Sequence, residues 1–278
     1  MRSGETRGEG RAVTGARHLR EGRPCQDALE QGERSGAFVM AVADGHGSSP
    51  RGGEGARLAV RVAVDSLLDF HDKLGPEFPG HLSRTRELMR EPVSRALVQA
   101  WAQRVRESAG GSLPEEELLR EHGTTLLAAL VAPAFALFLQ VGDGDILFTQ
   151  GEGLVERGVE PGACNFADET ESLCTPQAWL SMRIKVWPPF DRETLVLLAT
   201  DGYSKSYAST EDFERIGPDY LAWVRERGLA QVGGELEAIL EETSRRGSGD
   251  DITLGLIHLP APEGVRESPD VTESRGQR

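Results

Sequence analysis

The chain has 278 residues, which is long enough for one large domain or two small ones and for a sizeable core. Hydrophobic residues make up 38% of the sequence and charged residues 27%, both ordinary values for a globular protein. The net charge of -14 argues against nucleic acid or an anionic membrane surface as the main partner.

The ends of the chain and its cysteines indicate where it works. Cys25, Cys164 and Cys174 are an odd number without a C-x-x-C pair, so the sequence disfavours a disulfide scaffold and predicts a reducing, cytoplasmic location. It shows neither a signal peptide nor a membrane-spanning run. Residues 1–11 and 260–278 offer little to bury and predict flexible ends. No oligomerisation signal stands out, so we expect a monomer.

Apolar patterning predicts the elements between these ends. Short apolar runs bounded by Gly, Pro or Asp predict strands, and longer stretches with three- and four-residue apolar spacing predict helices. The three strands within 124–150 are expected to pair consecutively, and 151–193 to be irregular. This mixed order predicts an α+β fold of antiparallel sheets covered by helices. In chain order, we predict a strand over 37–43, helices over 52–74 and 85–109, strands over 124–132, 134–141, 146–150 and 194–200, helices within 210–228 and 233–246, and a strand over 252–259.

Aspartates recur at the ends of the apolar runs. Charged groups there are costly unless they are paired, hydrogen-bonded or bound to metal. A turn or cap explains any one of them. Five from distant parts of the chain can converge on one spot, and converging carboxylates hold Mg2+ or Mn2+. They are Asp27, Asp44, Asp143, Asp201 and Asp250.

Six stretches, which appear in the family's order along the chain, resemble motifs of the metal-dependent Ser/Thr protein phosphatases of the PP2C (PPM) family, in particular its compact bacterial members. The resemblance implies one phosphatase domain over 12–259. It also implies a four-layer αββα sandwich, in which two antiparallel β-sheets are flanked by helix pairs. The matching stretches are GARHLREGRPCQDA (15–28), VADGHG (42–47), HGTTLLAALV (122–131), VGDGDILF (141–148), LLATDGYS (197–204) and GSGDDITLGLI (247–257).

The resemblance further implies a centre of two divalent cations, Mn2+ or Mg2+. Two such ions share and acidify a water, and the resulting hydroxide attacks the phosphorus of phosphoserine or phosphothreonine without a covalent intermediate. His46, two residues beyond the bridging aspartate, is the candidate general acid for the leaving alkoxide. The implied ligands are the bridging Asp44, the carbonyl of Gly45, and the carboxylates of Asp27, Asp201 and Asp250.

The chain departs from the family pattern at positions that concern phosphate and metal binding. Better-known members carry a phosphate-gripping arginine where this chain has Gly22, so the flanking Arg20 and Arg23 are candidate substitutes. Asp143 matches one ligand of a third metal that many members bind. Lys205 occupies the position of another ligand, and because its charge repels a cation we expect that site to be weak, altered or absent.

Four further residues near these motifs are open to interpretation. His18 either lines the site or is a hydrogen-bonded strand histidine, and Asp251 is either an acceptor behind the metal ligands or a cap. Cys25 is favoured as a small packing residue over a reactive thiol. Gln26 replaces a common Glu and adds no charge, although an amide can still orient a water.

Because the four core aspartates are retained, the sequence favours an active phosphoprotein phosphatase working with a cognate Ser/Thr kinase. Two alternatives stay open. One is a weakly active or inactive signalling and binding module with the phosphatase fold, which Gly22, Gln26 and Lys205 keep in consideration. The other is a phosphatase for a small phosphorylated metabolite. The stretch FADETESLCTPQAW (166–179) falls in the family's variable flap, and either shapes substrate choice or is a plain exposed loop.

Overall fold

The computed structural model describes residues 5–74, 82–109, 113–153, 155–160 and 171–261. Its strands form two five-stranded antiparallel sheets, which confirms the predicted α+β class. The strands are β1 (Arg7–Val13), β2 (Asp27–Arg34), β3 (Ala37–Asp44), β4 (Leu126–Ala132), β5 (Phe135–Val141), β6 (Asp145–Gln150), β7 (Val155–Arg157), β8 (Arg183–Trp187), β9 (Thr194–Ala199) and β10 (Ile252–Leu259). One sheet has the order β1-β10-β9-β6-β7 and the other the order β2-β3-β4-β5-β8.

Helices cover the outer face of each sheet. Buried residues of α2 and α4 pack on the β2–β8 sheet, and those of α8 and α9 pack on the β1–β7 sheet. The result is the four-layer αββα sandwich that the resemblance implied. The helices are α1 (Ala16–Glu21), α2 (Gly52–Leu74), α3 (Leu82–Leu88), α4 (Ser94–Ala109), α5 (Glu115–Glu121), α6 (Asp201–Ser204), α7 (Thr210–Glu214), α8 (Ile216–Arg227) and α9 (Leu229–Arg246).

Strand β3 shows why its sequence is continuously apolar. Successive side chains of a strand point to opposite faces. Phe38, Met40 and Val42 enter the cluster between the two sheets, whereas Val39 and Ala41 face the helical layer. Both faces of the strand are therefore buried, and no polar residue interrupts the run until Asp44 at its end.

Two predicted elements differ from the structure. The helix expected over 85–109 is divided into α3, a π-helical segment Met89–Val93 and α4, because Pro92 lacks the N–H that a continuous helix needs. The strands expected to be consecutive neighbours separate after β5: β6 crosses to the other sheet, where it pairs with β9 and β7. The region 151–193 contains β7 and β8, although much of it is irregular as expected.

The prediction of a flexible end over residues 1–11 is wrong from Arg7 onward. Arg7–Val13 forms the edge strand β1 and pairs with β10 along its whole length. Its side chains are mostly charged or small and half-exposed, so no apolar alternation marks it in the sequence. Backbone hydrogen bonds to an apolar partner strand hold it instead. Residues 1–4 and 262–278, which include most of the predicted C-terminal tail, lie outside the described residues.

Candidate metal centre

The pairing of β2 with β3 places two of the predicted ligands opposite each other. Asp27 is the first residue of β2 and Asp44 is the last of β3, and the antiparallel register aligns the two. Asp44 is held at both backbone groups, since its N–H donates to the hydroxyl of Thr125 and its carbonyl accepts from the Thr125 N–H, each at 2.9 Å. The strand pair therefore delivers two carboxylates to one end of the sandwich.

The other sheet brings its own aspartates to the same end. Asp201 begins α6 directly after β9, and Asp250 lies just before β10, which pairs with β9. Two hydroxyls, those of Ser206 and Ser248, both donate to the carbonyl of Gly202 at 2.8 Å and tie these turns together. The two loops that carry the aspartates are thus held as one unit.

Asp27 links the two sheets at this end. Its Oδ2 accepts hydrogen bonds from the hydroxyl of Thr200 at 2.7 Å and from that of Thr253 at 2.8 Å, both on the opposite sheet. Its Oδ1 is buried and has no hydrogen-bond partner among the described residues. An unpartnered buried carboxylate oxygen is costly, so this atom indicates a position for a ligand.

The electrostatics of the site show an excess of negative charge. Burial foremost, together with the charge of nearby Asp251, raises the pKa of Asp27 to about 7 against the opposing hydrogen bond from Thr200. Burial followed by the charges of Asp27 and Asp201 raises the pKa of Asp44 well above its ordinary value. The pKa of Asp201 is also raised, by burial and then by Asp143. The carboxylates are close enough to disfavour one another's ionised forms.

Two cationic side chains engage the cluster. The ammonium of Lys205 contacts Asp201 and lies 3.7 Å from Oδ2 of Asp143. The guanidinium of Arg17 lies 2.9 Å from Oδ1 of Asp250. As they stand, no three His, Cys, Asp or Glu side chains in the described part of the chain are grouped tightly enough to hold a metal ion.

The donor set nevertheless suits divalent cations. It consists of carboxylate and carbonyl oxygens, the ligands that Mg2+ and Mn2+ prefer. Oδ1 of Asp27 has no partner among the described residues, and neighbouring carboxylates add to the rise in pKa that burial causes at Asp27, Asp44 and Asp201. The residues that the sequence predicted therefore fit a centre of hard divalent cations.

The loop after β3 packs tightly on the start of α2. A Cβ on Gly45 would lie 2.2 Å from the carbonyl carbon of Gly52, so backbone packing already requires glycine there. His46 is half-buried, its N–H donates to the carbonyl of Gly123 at 3.0 Å, and its Nε2 has no partner among the described residues. Burial lowers the pKa of His46, against a smaller opposing influence of Asp201.

The structure separates the two arginines proposed for phosphate binding. Arg23 lies against the loop, with a nitrogen 2.9 Å from the amide oxygen of Gln26 and 3.5 Å from the carbonyl of Gly47. Arg20 is exposed on α1. Gly22 ends that helix with a φ of 66°, the left-handed conformation that favours glycine. This C-cap gives a local reason for a glycine at the position of the missing arginine.

Arg17 is a site residue that sequence reasoning missed. Its backbone N–H donates to the carbonyl of Gly249 at 2.8 Å, so the loop before β10 returns to α1 and brings Asp250 to the Arg17 side chain. Such a contact joins parts of the chain that lie far apart, and nothing in the local sequence around Arg17 indicates it.

Asp251 and its neighbours support the site from behind. One oxygen of the Asp251 carboxylate accepts from the N–H of Gly15 at 2.7 Å and from Nδ1 of His18 at 2.9 Å, and the other accepts from the N–H of Gln26 at 2.7 Å. His18 is therefore a buried, hydrogen-bonded histidine, although it lies on helix α1 and not on a strand as expected. Burial, then the charges of Asp27 and Asp251, raises the pKa of the Cys25 thiol, which favours its packing role.

Comparison with known proteins identifies the family of this arrangement. The sequence model of the family described as protein phosphatase 2C matches residues 14–241. The chain is 25% identical over 200 residues to serine/threonine-protein phosphatase 3 of Escherichia coli (strain K12), which covers 70% of this chain and 72% of that protein.

Solved structures share the fold. The S. agalactiae serine/threonine phosphatase superposes with a TM-score of 0.59 at 15% identity, covering 92% of this chain and 100% of that one. The catalytic domain of the serine threonine protein phosphatase PstP, in complex with two manganese ions, gives 0.56 at 17% identity, covering 92% and 98%. In the described part of this chain, no helix is long and apolar enough to cross a membrane.

Proposed function

The chain belongs to the protein phosphatase 2C family and is a PPM-type protein phosphatase, and on that basis we propose that it hydrolyses phosphoserine and phosphothreonine with the help of two divalent cations, Mn2+ or Mg2+. The observation that supports the metal requirement is the Asp27–Asp44 pair. These carboxylates lie opposite each other, are buried or half-buried, have raised pKa values, and include an oxygen without a partner among the described residues. The PstP structure with two manganese ions supports the number of cations.

The proposed ligands come from both sheets. Asp44, the carbonyl of Gly45 and the carboxylates of Asp27, Asp201 and Asp250 would hold the two cations, with Asp44 as the ligand that both would share, and Asp143 is the candidate for a third site. When bound, the cations would supply Lewis acidity that acidifies the attacking water and balances the charge of the phosphoryl oxygens. The chain's own task is to hold the carboxylates in position, which the hydroxyls of Thr200 and Thr253 do for Asp27.

His46 and Arg23 are proposed to act on the substrate. The imidazole of His46 follows the bridging aspartate and keeps a buried ring nitrogen free of partners among the described residues. Burial lowers its pKa, but a phosphate dianion beside the ring favours the protonated form, which then donates a proton to the leaving Ser or Thr oxygen. Arg23, at the edge of the same loop, is better placed than Arg20 to hold a phosphate oxygen.

A second candidate function is a weakly active binding module with the same fold. The contact of Lys205 with Asp201 and Asp143 favours it, because an ammonium already balances charge that a cation would otherwise balance. We further propose a phosphorylated protein substrate, a cognate Ser/Thr kinase, a monomeric state and a cytoplasmic location. The free thiols of Cys25 and Cys174 support the last of these.

The test is hydrolysis of p-nitrophenyl phosphate and of a phosphothreonine peptide in Mn2+, with and without a chelator. We expect activity that the chelator abolishes and a loss of several orders of magnitude in Asp44→Asn. Asp191→Asn, an exposed position in the β8–β9 connection, is the matched control and should match the wild type. Activity that persists after full metal removal would refute the metal requirement, and inactivity with every metal would favour the binding module.

A further inference from the structure

A basic pocket lies beside β8 on a protein that is otherwise strongly acidic. Its volume is about 720 Å³, and four basic side chains line it against one acidic side chain, Glu160. Arg86 comes from α3, Arg90 from the π-helical segment, and Arg183 and Lys185 from β8. With a net charge of -14 for the whole chain, this concentration of positive charge points to an anionic partner.

Partners within the described residues satisfy only part of this charge. Lys185 lies 3.1 Å from Glu160, and Arg183 donates to the carbonyl of Gly142. Arg86 and Arg90 are both exposed, and no ion pair to either is formed within the described ranges. These two guanidinium groups are therefore the ones available to an incoming carboxylate or phosphate, each with a fork of donors that matches such groups.

The pocket also offers an apolar surface suited to a polypeptide. Leu180 lines it with 63% of its surface exposed, and the neighbouring Trp179 lies under the guanidinium of Arg95 at 5.7 Å. A small inorganic anion cannot bury such an apolar surface, whereas the side chains and backbone of a peptide can pack against it. The combination favours an acidic peptide segment over a free ion.

Sheet geometry places the pocket within reach of the metal centre. Arg183 begins β8 at the same end of the sheet at which Asp44 ends β3, and β8 is three strand positions away from β3. At about 4.8 Å per strand, the two ends are roughly 15 Å apart. An extended peptide rises about 3.3 Å per residue, so four to six residues cover that distance.

The segment after residue 170 connects the two places. The N–H of Leu173 donates to the carbonyl of Thr124 at 3.0 Å, and the side chains of Cys174 and His46 both flank Gly123. The same segment continues to Trp179 and Leu180 at the pocket. This segment therefore runs from beside the candidate general acid to the basic pocket.

We propose that the basic pocket binds acidic side chains of the phosphoprotein substrate that lie four to six residues from the phosphorylated Ser or Thr. This rests on the proposed phosphatase activity and specifies its substrate class. Arg86 and Arg90 pair with the acidic side chains, and Trp179 and Leu180 contact the intervening peptide. The preference is electrostatic, so it weakens as the salt concentration rises.

The test compares kcat/KM for phosphothreonine peptides of equal length. One peptide carries three Glu at positions four to six on the C-terminal side, one carries them on the N-terminal side, one carries them adjacent to the phosphothreonine, and one has Gln throughout. We expect one of the two distant arrangements to exceed the Gln peptide by about tenfold at low salt, as two exposed ion pairs allow. The gain should appear in KM rather than in kcat.

The variant Arg86→Gln/Arg90→Gln should lose this preference while hydrolysing p-nitrophenyl phosphate and the Gln peptide normally. Arg84→Gln/Arg192→Gln removes the same charge at exposed positions outside the pocket and should keep the preference. Equal rates for all four peptides in the wild type, a preference for the adjacent Glu run alone, or an equal loss in both variants would overturn the proposal. Failure to hydrolyse p-nitrophenyl phosphate would instead count against the proposed function.

Discussion

Replacing Lys205 by aspartate should create a third cation site between Asp143 and position 205. In the wild type the Lys205 ammonium lies 3.7 Å from Asp143 and contacts Asp201, so it balances carboxylate charge in the place where another cation would bind. Lys205→Asp removes that positive charge and adds a carboxylate oxygen. Lys205→Met keeps a chain of similar length and removes only the charge.

The expected magnitude follows from Coulomb's law at the solvent limit, since 58% of the Lys205 side chain is exposed. Two unit charges about 4 Å apart interact by about 1 kcal/mol in water. Lys205→Asp changes the local charge by two units, and the cation carries two, so its binding improves by about 4 kcal/mol. That corresponds to roughly a thousandfold in Kd, and Lys205→Met should reach about half of the free-energy change.

The assay is equilibrium dialysis against Mn2+ followed by metal analysis, which counts bound ions without using activity. We expect two ions per chain in the wild type and three in Lys205→Asp over the same range of Mn2+ concentration. Lys73→Asp is the matched control, because Lys73 is exposed near the far end of α2 from the loop that carries Asp44, and it should behave as the wild type. An unchanged number and affinity of ions in Lys205→Asp would refute the assignment of Lys205 as an internal counter-ion.

Three further predictions concern the loop after β3 and the half-buried Glu193, whose carboxylate lies 2.7 Å from Arg225 and 2.9 Å from His258. Gly45→Ala should lower the free energy of unfolding by several kcal/mol because of its backbone clash with α2, whereas Gly47→Ala, with no atom within 4 Å of its Cβ, should be neutral in denaturant melts. His46→Ala should slow hydrolysis of phosphothreonine far more than that of p-nitrophenyl phosphate, whose leaving group needs no proton, and equal losses would contradict the acid role. Although burial opposes it, hydrogen bonding from His258 and Arg225 holds the pKa of Glu193 below its ordinary value, so its stabilising effect is present at neutral pH and is lost as pH falls through that lowered pKa. Glu193→Gln should reduce the loss of stability at acid pH, and an unchanged loss would count against a stabilising role of the contacts of Glu193 with His258 and Arg225.

The sequence predicts well those features that depend on local pattern. Strands β3 and β9 and helix α2 are recognisable in the sequence. Burial on both faces of a strand requires a continuous apolar run, and burial on one face of a helix requires apolar residues at three- and four-residue spacing. The edge strand β1 is not recognisable in this way, because its backbone pairing with β10 does not require apolar side chains. The sequence also does not show that β6 joins the second sheet, because a strand with the same apolar pattern could pair in either of two packed sheets.

The site divides in the same way. An aspartate directly after a buried strand is visible in the sequence, and the resemblance assigns Asp44 and Asp201 their places in the proposed centre. The partners that balance their charge are not visible, since Arg17 meets Asp250 through a loop that is more than 200 residues away along the chain. The sequence does predict that the positive charge of Lys205 lies near the aspartates, because Lys205 follows Asp201 by four residues. In the structure its ammonium contacts Asp201 and lies 3.7 Å from Asp143.

The candidate centre lies where the two sheets meet, and this position explains both its chemistry and its cost. Asp27 belongs to one sheet, yet the hydroxyls that hold it belong to Thr200 and Thr253 of the other, so the carboxylate cluster is assembled only when the sandwich closes. Folding then buries these carboxylates beside one another, and burial first, followed by the neighbouring carboxylates, raises their pKa values. A core selected for stability alone would place apolar residues at these strand ends. Buried aspartates there, with Oδ1 of Asp27 lacking a partner among the described residues, are what the proposed cation-binding role predicts, because a bound cation would offset their unfavourable charge.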